Sequence, residues 1–429
     1  MQELLFLAHR IPYPPNKGDK IRSYHVLKYL AEKYHVHLGT FVDDEQDWQH
    51  LPVLKNLCGQ THFVGLNSRM ARLRSAKGLL SGEALTLPYY YDASMQEWVT
   101  RLLENNPVHR VLVFSSGMAQ YVAGQKWSSI RRVIDFVDVD SDKWRQYAKS
   151  KSWPMSAVYQ REARRLEIYE RRIAAEFDAS VLVSQDEAKL FKTLAPASAG
   201  RIDYLNNGVD SEYFSPHRHY ANPYFPDEKV LVFTGAMDYW ANVDAVTWFA
   251  QEVFPQIVLR DPKARFYIVG GRPTPAVKQL ESIAGVHVTG GVPDVRPYLA
   301  HAVAAVAPLR IARGVQNKVL EAMAMAKPVL ATSAAVEGIE SGMGSASAFN
   351  AESNEGTGIV VADGVAECAE QALCLLQGEP KDTGRAYVLK YYTWAENLKR
   401  LDRLLEGDVM PTVNNPAHVA AKERAVVAS

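Results

Sequence analysis

What most constrains this chain is an alternation, run through twice, of short apolar segments with longer amphipathic ones. In the first half Glu3–Ala8 (ELLFLA), Val36–Phe41, Val111–Ser116 (VLVFSS), Val133–Asp138 (VIDFVD) and Ala179–Ser184 (ASVLVS) are nearly continuous apolar runs of strand length. Each is followed by a loop and a segment of helical period, the first over Ile21–Lys33. Strands that are apolar throughout are buried on both faces, and helices between them imply a parallel sheet covered on both sides. Arg201–Pro216 (RIDYLNNGVDSEYFSP) interrupts the pattern: Asn207-Gly208 marks a turn, and Pro216, Pro223 and Pro226 follow in a polar stretch. The pattern then restarts with Val230–Gly235, Ala264–Gly271, Gly285–Gly291, Ala304–Leu309, Lys327–Thr332 and Thr357–Asp363. The expected fold class is therefore α/β, with two tandem Rossmann-like domains facing a cleft. We place the domains at 1–210 and 211–385, a C-terminal helix at 386–407 packing back on the first, and a disordered tail at 408–429.

A chain of 429 residues is too long for one core, which agrees with two domains. Its formal net charge is zero, so no nucleic-acid partner is expected. Cys58, Cys368 and Cys374 lack the paired spacing of a metal site; they read as buried fillers in a reducing compartment. No apolar run approaches the roughly 18 residues of a spanning helix, and the N-terminus has no basic region or small-residue cleavage site. The expected location is the cytoplasm, with the inner face of the cell membrane left open. Two basic stretches raise the second possibility: Arg69–Lys77 (RMARLRSAK) and Arg161–Arg172 (REARRLEIYERR). The second also reads as a salt-bridged helix, since it holds Glu162, Glu167 and Glu170.

The segment Gly314–Leu330 (GVQNKVLEAMAMAKPVL) carries the most specific chemistry. Val315, Val319, Ala322, Met323 and Ala326 recur at helical spacing and should face the sheet, with Gly314 as the cap. Asn317, Lys318 and Glu321 share the other face. A helix start offers free N–H groups and partial positive charge, and Lys318 adds a full one; together they suit a diphosphate. Glu321, one turn deeper, has two acceptor oxygens for a ribose diol. Arg310 and Arg313 bring two more positive charges to the helix mouth. The same residues also read as a plain surface helix with a Lys–Glu pair. A dinucleotide dehydrogenase is disfavoured, because neither half has G-x-G-x-x-G after its first strand.

Taken in order, LNNGVDSEYFSP, FTGAMDYWANVDAV, FYIVGG, VHVTGGVPDVRPYLAHAVAAVAPL, EAMAMAKPVLAT and YYTWAENLKRLDRLLE resemble the motifs of retaining glycosyltransferases of family four, which have the GT-B fold. The resemblance spans residues 1–407. The N-terminal stretch LAHRIPYPPNKGDKIRSYHVLKYLAEKYHVHLGTF, with IDFVDVDSDKW, looks more narrowly like sugar transferases associated with exosortase/PEP-CTERM exopolysaccharide clusters. The resemblance implies metal-independent transfer of a sugar, with retention, from a nucleotide-diphosphate donor, UDP- or GDP-linked, to a glycan or lipid-linked acceptor hydroxyl. No bound cofactor is implied. The donor would meet Gly235, Arg310, Gly314, Asn317, Lys318 and Glu321. Gly18 would let backbone approach a phosphate or the acceptor, and Asp138 would position the acceptor or take its proton; a plain turn and an N-cap are the alternatives for these two. The chain departs from the family pattern in three places. Arg313 stands where a second glutamate is usual, Asp238 and Asn242 replace an Arg/Lys pair, and Ser115 and Ser116 occupy the place of a frequent histidine. We assign Arg313 to the diphosphate or an anionic sugar group. A sugar-nucleotide epimerase of the same fold and a non-catalytic nucleotide-sugar-binding protein are the alternatives.

Overall fold

The computed structural model describes residues 1–15, 18–149, 151–312, 315–340, 358–378 and 384–407. These form two compact units: unit 1 is Met1–Asn206 together with the chain from Leu398, and unit 2 is Asn207–Asn397. Unit 1 holds strands β1 (Glu3–Ala8), β2 (His35–Val42), β3 (Thr61–Gly65), β4 (Val108–Phe114), β5 (Arg131–Val137), β6 (Ala179–Leu182) and β7 (Ile202–Tyr204). They form one parallel sheet in the order β3-β2-β1-β4-β5-β6-β7. Unit 2 holds β8 (Lys229–Thr234), β9 (Ala264–Val269), β10 (Val286–Gly290), β11 (Ala304–Ala307), β12 (Val329–Ala331) and β13 (Ile359–Val361). Their order, β10-β9-β8-β11-β12-β13, repeats the first six places of unit 1, again wholly parallel.

The expected α/β class with two tandem parallel sheets is thus the observed one. The apolar runs become strands because both faces are covered: Leu4 to Ala8 and Leu231 to Phe233 are fully buried. Strands β3 and β7 were not anticipated. The residues of β3 keep part of their surface exposed, and β7 has only three residues. Edge strands lack the continuous apolar signature of central ones.

The first helix, Gly18–Ala31, starts before the expected Ile21, because its first turns bury charged residues rather than apolar ones. Lys20 pairs with Asp47 at 2.5 Å, and Arg22 pairs with Asp135 at 2.8 Å and donates to the Leu205 carbonyl at 2.7 Å. In Met155–Glu176, Glu162 is turned inward and accepts from the backbone of Leu85 and Thr86, while Glu170 accepts from Ser141. Of these three glutamates, only Glu167 makes a surface ion pair among the described residues, to Arg145. Of the cysteines, Cys368 is buried but Cys374 is exposed, so the filler expectation fails at that position.

The division falls at Asn206/Asn207, a few residues before the expected boundary. The LNNGVD and YYTW stretches meet inside unit 2: the Val209 N–H donates to the Tyr392 carbonyl at 2.7 Å, and a Cβ on Gly208 would lie 2.4 Å from the Trp394 nitrogen. The helix Trp394–Glu406 begins in unit 2 and ends in unit 1, where Asp402 accepts from Tyr29 and Glu406 from Tyr34 and Arg110. Residues 386–397 remain with unit 2, and the tail at 408–429 lies outside the described residues.

The helix Asn317–Ala324 ends in a Schellman motif, with Lys327 N–H bonded to the Ala322 carbonyl and Ala326 N–H to that of Met323. Ala326 is thereby held at φ 57°, the left-handed region that favours glycine. Ala326→Gly should raise the urea midpoint of the unit 2 transition, by about 0.5–1 kcal/mol in stability. A lowered midpoint would contradict this backbone.

Candidate functional site

In both sheets the strand order reverses beside the first strand, between β1 and β4 and between β8 and β11. Ligands of open parallel sheets sit beyond the carboxyl ends of strands at such a point. In unit 2, β8 ends at Gly235, whose N–H bonds to the Val269 carbonyl at 3.0 Å. A Cβ added to Gly235 would lie 2.8 Å from Asn242 Nδ2, and one added to Gly270 would lie 1.7 Å from the Gly235 carbonyl oxygen. The glycines after β8 and β9 are therefore required for two backbone turns to meet.

From the other side of the reversal, after β11, comes the helix Asn317–Ala324. Val319, Leu320, Ala322, Met323 and Ala324 are buried, whereas Asn317, Lys318 and Glu321 keep part of their surface. The polar face is the expected one, and Val319, Ala322 and Met323 are buried as expected; Val315 and Ala326 lie outside the helix and are half-buried, while Leu320 and Ala324 were not anticipated in the core. The cap is Gln316 rather than Gly314, and Gly314 and Arg313 lie outside the described residues. Lys318 Nζ reaches across to Asn242 Oδ1 at 2.7 Å and lies 4.8 Å from the centre of the Phe233 ring. Asn242, only 5% exposed, also donates from Nδ2 to the Ala236 carbonyl at 2.9 Å. One amide thus ties the glycine turn after β8 to the lysine after β11. Asn317 Oδ1 is buried with no hydrogen-bond partner among the described residues.

Burial dominates the electrostatics here. Desolvation pushes Lys318 down to about 8, against the attraction of Glu321. Desolvation pushes Glu321 up to about 7, against the attraction of Lys318. A lysine that is partly neutral beside an acid that is partly protonated is costly in an empty protein, and anionic and hydroxyl groups of a ligand would relieve it.

Arg310, an expected donor contact, is paired with Asp244 of the helix Trp240–Trp248, with Nε 3.0 Å from Oδ2. It borders a shallow groove of about 650 Å³ with Asp238, Trp240, Asp244 and Trp248, a groove that includes none of Asn317, Lys318 or Glu321. Arg272 is likewise paired, to Asp238 at 2.5 Å, and exposed.

In unit 1, Gly18 opens the first helix with open space where a Cβ would stand, so packing does not require a glycine there; Lys17 lies outside the described residues. Asp138 follows β5 and accepts from Lys143 Nζ at 2.6 Å, while Asp140 lies 3.5 Å from the same nitrogen. Burial acts to lower Lys143, but these carboxylates outweigh it and raise it well above an ordinary lysine. Two residues at strand ends adopt positive φ without being glycine: Ser115 at 78° and Val137 at 70°. Such backbone is uncommon for a β-branched residue and concentrates where loops are held for function. His9, directly after β1, was not singled out in the sequence. Its signal was its place, one residue past the first strand.

Residues 228–378 match the family described as Glycosyl transferases group 1, which covers most of unit 2 and supports a glycosyltransferase reading of it. No curated protein matches the chain. Among solved structures it is similar to WaaG, a glycosyltransferase involved in lipopolysaccharide biosynthesis, at 16% identity and TM-score 0.55, covering 94% of this chain and 96% of that one. It is similar to Anabaena Alr3699/HepE in complex with UDP, at 13% identity and TM-score 0.59, covering 95% and 100%. It is also similar to the N-terminal domain of Candida albicans trehalose-6-phosphate phosphatase, at 11% identity and TM-score 0.62, covering 95% and 97%. The fold is GT-B. No helix among the described residues is long and apolar enough to cross a membrane.

The half-buried acid gives a pH test. Glu321 binds its proton more tightly folded than unfolded, so stability falls as pH rises from about 4.5 through about 7. Glu321→Gln should therefore be more stable than the parent at pH 8, by about 1–2 kcal/mol after losing its attraction to Lys318, with the gap closing by about pH 5. Urea melts at the two pH values measure this, and a gap independent of pH would exclude a raised carboxyl.

Proposed function

We propose that the protein transfers a sugar, with retention, from a nucleotide-diphosphate sugar to an acceptor hydroxyl in the synthesis of an exopolysaccharide or other cell-surface glycan. The observation that carries this reading is the set Asn242, Asn317, Lys318 and Glu321 at the strand-order reversal of unit 2. Lys318 and the N–H groups of the helix start receive the diphosphate, whose charge grows as the sugar leaves. Glu321 grips the ribose diol. Asn317, with its unpartnered Oδ1, meets a donor hydroxyl, and Gly235 brings backbone close to the donor. Arg313 and Gly314, which precede this helix in sequence and lie outside the described residues, belong to the same reading. Gly18 and Asp138 are assigned to the acceptor side. The transfer uses no metal and no bound cofactor: the positive groups around the diphosphate do the work of a cation. A UDP-linked donor is favoured, because similar structures of this fold hold UDP or UDP-glucose.

Thermal melts with UDP, GDP, CDP and ADP at equal concentration test the donor site. One diphosphate should stand out, with stabilisation of about 2.7 kcal/mol at a hundred times its dissociation constant. Lys318→Met and Glu321→Ala should remove most of it. Response to none of the four would end the nucleotide reading. Binding without turnover would favour a non-catalytic protein, and a changed nucleotide sugar with no acceptor an epimerase.

The reading includes a peripheral contact with an anionic membrane surface at the inner face of the cell membrane, where a lipid-linked acceptor would lie. The helix Ser68–Ser81 supports it: Met70 is 58% and Leu73 66% exposed, beside exposed Arg69 and Arg72. Vesicles containing phosphatidylglycerol should carry the protein in flotation, and Met70→Glu with Leu73→Glu should abolish this. Equal flotation with neutral vesicles would contradict an electrostatic contact.

A further inference from the structure

The helix Trp240–Trp248 of unit 2 carries polar residues on two opposite sides. Asn242 is turned inward, where it meets Lys318. Trp240, Asp244 and Trp248 recur every fourth residue, so they stand in a row along one side. Asn242 is two residues from each of the first two and so lies across the helix from the row. The row borders the groove of about 650 Å³, a volume within the roughly 300–1,000 Å³ of small-ligand sites.

Three features of the groove point to a ligand. Its apolar surface is presented as flat rings: Trp240 is 56% exposed, and Trp248 is half-buried. Thr247, also on the lining, has its Oγ1 buried with no hydrogen-bond partner among the described residues. A helical threonine usually bonds the carbonyl one turn back, and a buried hydroxyl left unpaired calls for a partner from elsewhere. The helix also unwinds here, with a π-helical turn over Phe249–Val253. Pro255, which has no N–H to give Gln251, sets the place of that turn, and π turns gather at functional sites. Gln251 and Glu252 on it are exposed and line the groove.

The polar lining decides the class of ligand. The carboxylates of Asp238, Asp244 and Glu252 stand against two guanidinium groups, Arg310 on Asp244 and Arg272 on Asp238. The excess is negative, which disfavours phosphates, nucleotides and acidic sugars. In both pairs the arginine takes one oxygen with Nε and the other with Nη2, and leaves each oxygen a second lone pair. Acceptors set beside N–H donors match vicinal hydroxyls, each of which donates and accepts. The indoles match the other surface of a sugar ring, the flat face of its axial C–H groups. Trp240 and Trp248 are separated by about 12 Å along the helix axis, farther than one such ring extends.

We propose that this groove binds a short neutral saccharide chain, with sugar faces on Trp240 and Trp248 and hydroxyls on Asp244, Thr247 and Glu252. The site is separate from Asn317, Lys318 and Glu321. That the bound chain is the glycan being extended rests on the transferase reading above; the binding itself does not.

Affinity electrophoresis of the full chain, without nucleotide, tests this in gels cast with dextran, laminarin, galactomannan or xyloglucan, and with alginate as the anionic control. At least one neutral polymer should retard the parent, and alginate should not. Trp240→Ala should weaken that binding about tenfold. Thr247→Val keeps the shape and removes the unpaired hydroxyl, so it should weaken binding roughly two- to tenfold yet raise the melting temperature of the free protein. Glu321→Ala should bind the polymer as the parent does. Retardation by none of the neutral polymers overturns the proposal, as does a Trp240→Ala affinity within about twofold of the parent. Stronger retardation by alginate overturns it too, and so does loss of binding in Glu321→Ala, which would move the saccharide to the donor set. Sedimentation velocity checks the other cover for exposed indoles: a parent dimer that Trp240→Ala dissociates also overturns it. No nucleotide sugar is used, so the result reads the same if the transferase reading fails.

Discussion

Crossovers between parallel strands are right-handed, so the direction in which the chain moves along a sheet decides which face receives the connecting helix. In both units the chain moves one way from the first strand to the third and then returns to the other side of the first. Connections on the two sides of that point go to opposite faces, so they part at the carboxyl ends of β1 with β4 and of β8 with β11. His9 lies there in unit 1, and Gly235, Asn242, Lys318 and Glu321 in unit 2. The order of the strands makes these places before any particular side chain fills them.

What fills them is held by polar contacts between neighbouring connections rather than within one. Asn242 bonds Lys318 across the reversal in unit 2, and Asp19, from the first helix of unit 1, reaches His9 at the end of β1. The first helix is itself locked by Arg22–Asp135 and Lys20–Asp47, charges that would be costly to bury alone. Lys318 and Glu321 lack so close a match, and desolvation displaces both from ordinary titration. The contrast separates charges closely matched by a buried partner from charges that burial displaces from ordinary titration.

The central strands were legible because each is apolar on both faces, and the helix Asn317–Ala324 because its apolar residues recur at helical spacing. The edges were not: β3 and β7 have little to bury, and the start of the Gly18–Ala31 helix hides charged residues that pattern reading takes for surface. The glutamates of Met155–Glu176 misled in the same way, since Glu162 points inward to the Leu85 and Thr86 backbone and Glu170 to the backbone and hydroxyl of Ser141, all far away in sequence. Arg310 neighbours the helix mouth along the chain, and its pairing with Asp244, 66 residues earlier, is a contact that no local pattern announces.

By itself, then, the sequence determined the fold class, the doubling of the unit and the face of Asn317–Ala324 that carries polar groups, because local periodicity encodes all three. Only the tertiary structure decided which charges are free. Pairing depends on which loops the sheet brings together, and residues such as Asn242 and Lys318, or Asp244 and Arg310, are neighbours through strand order rather than through distance along the chain.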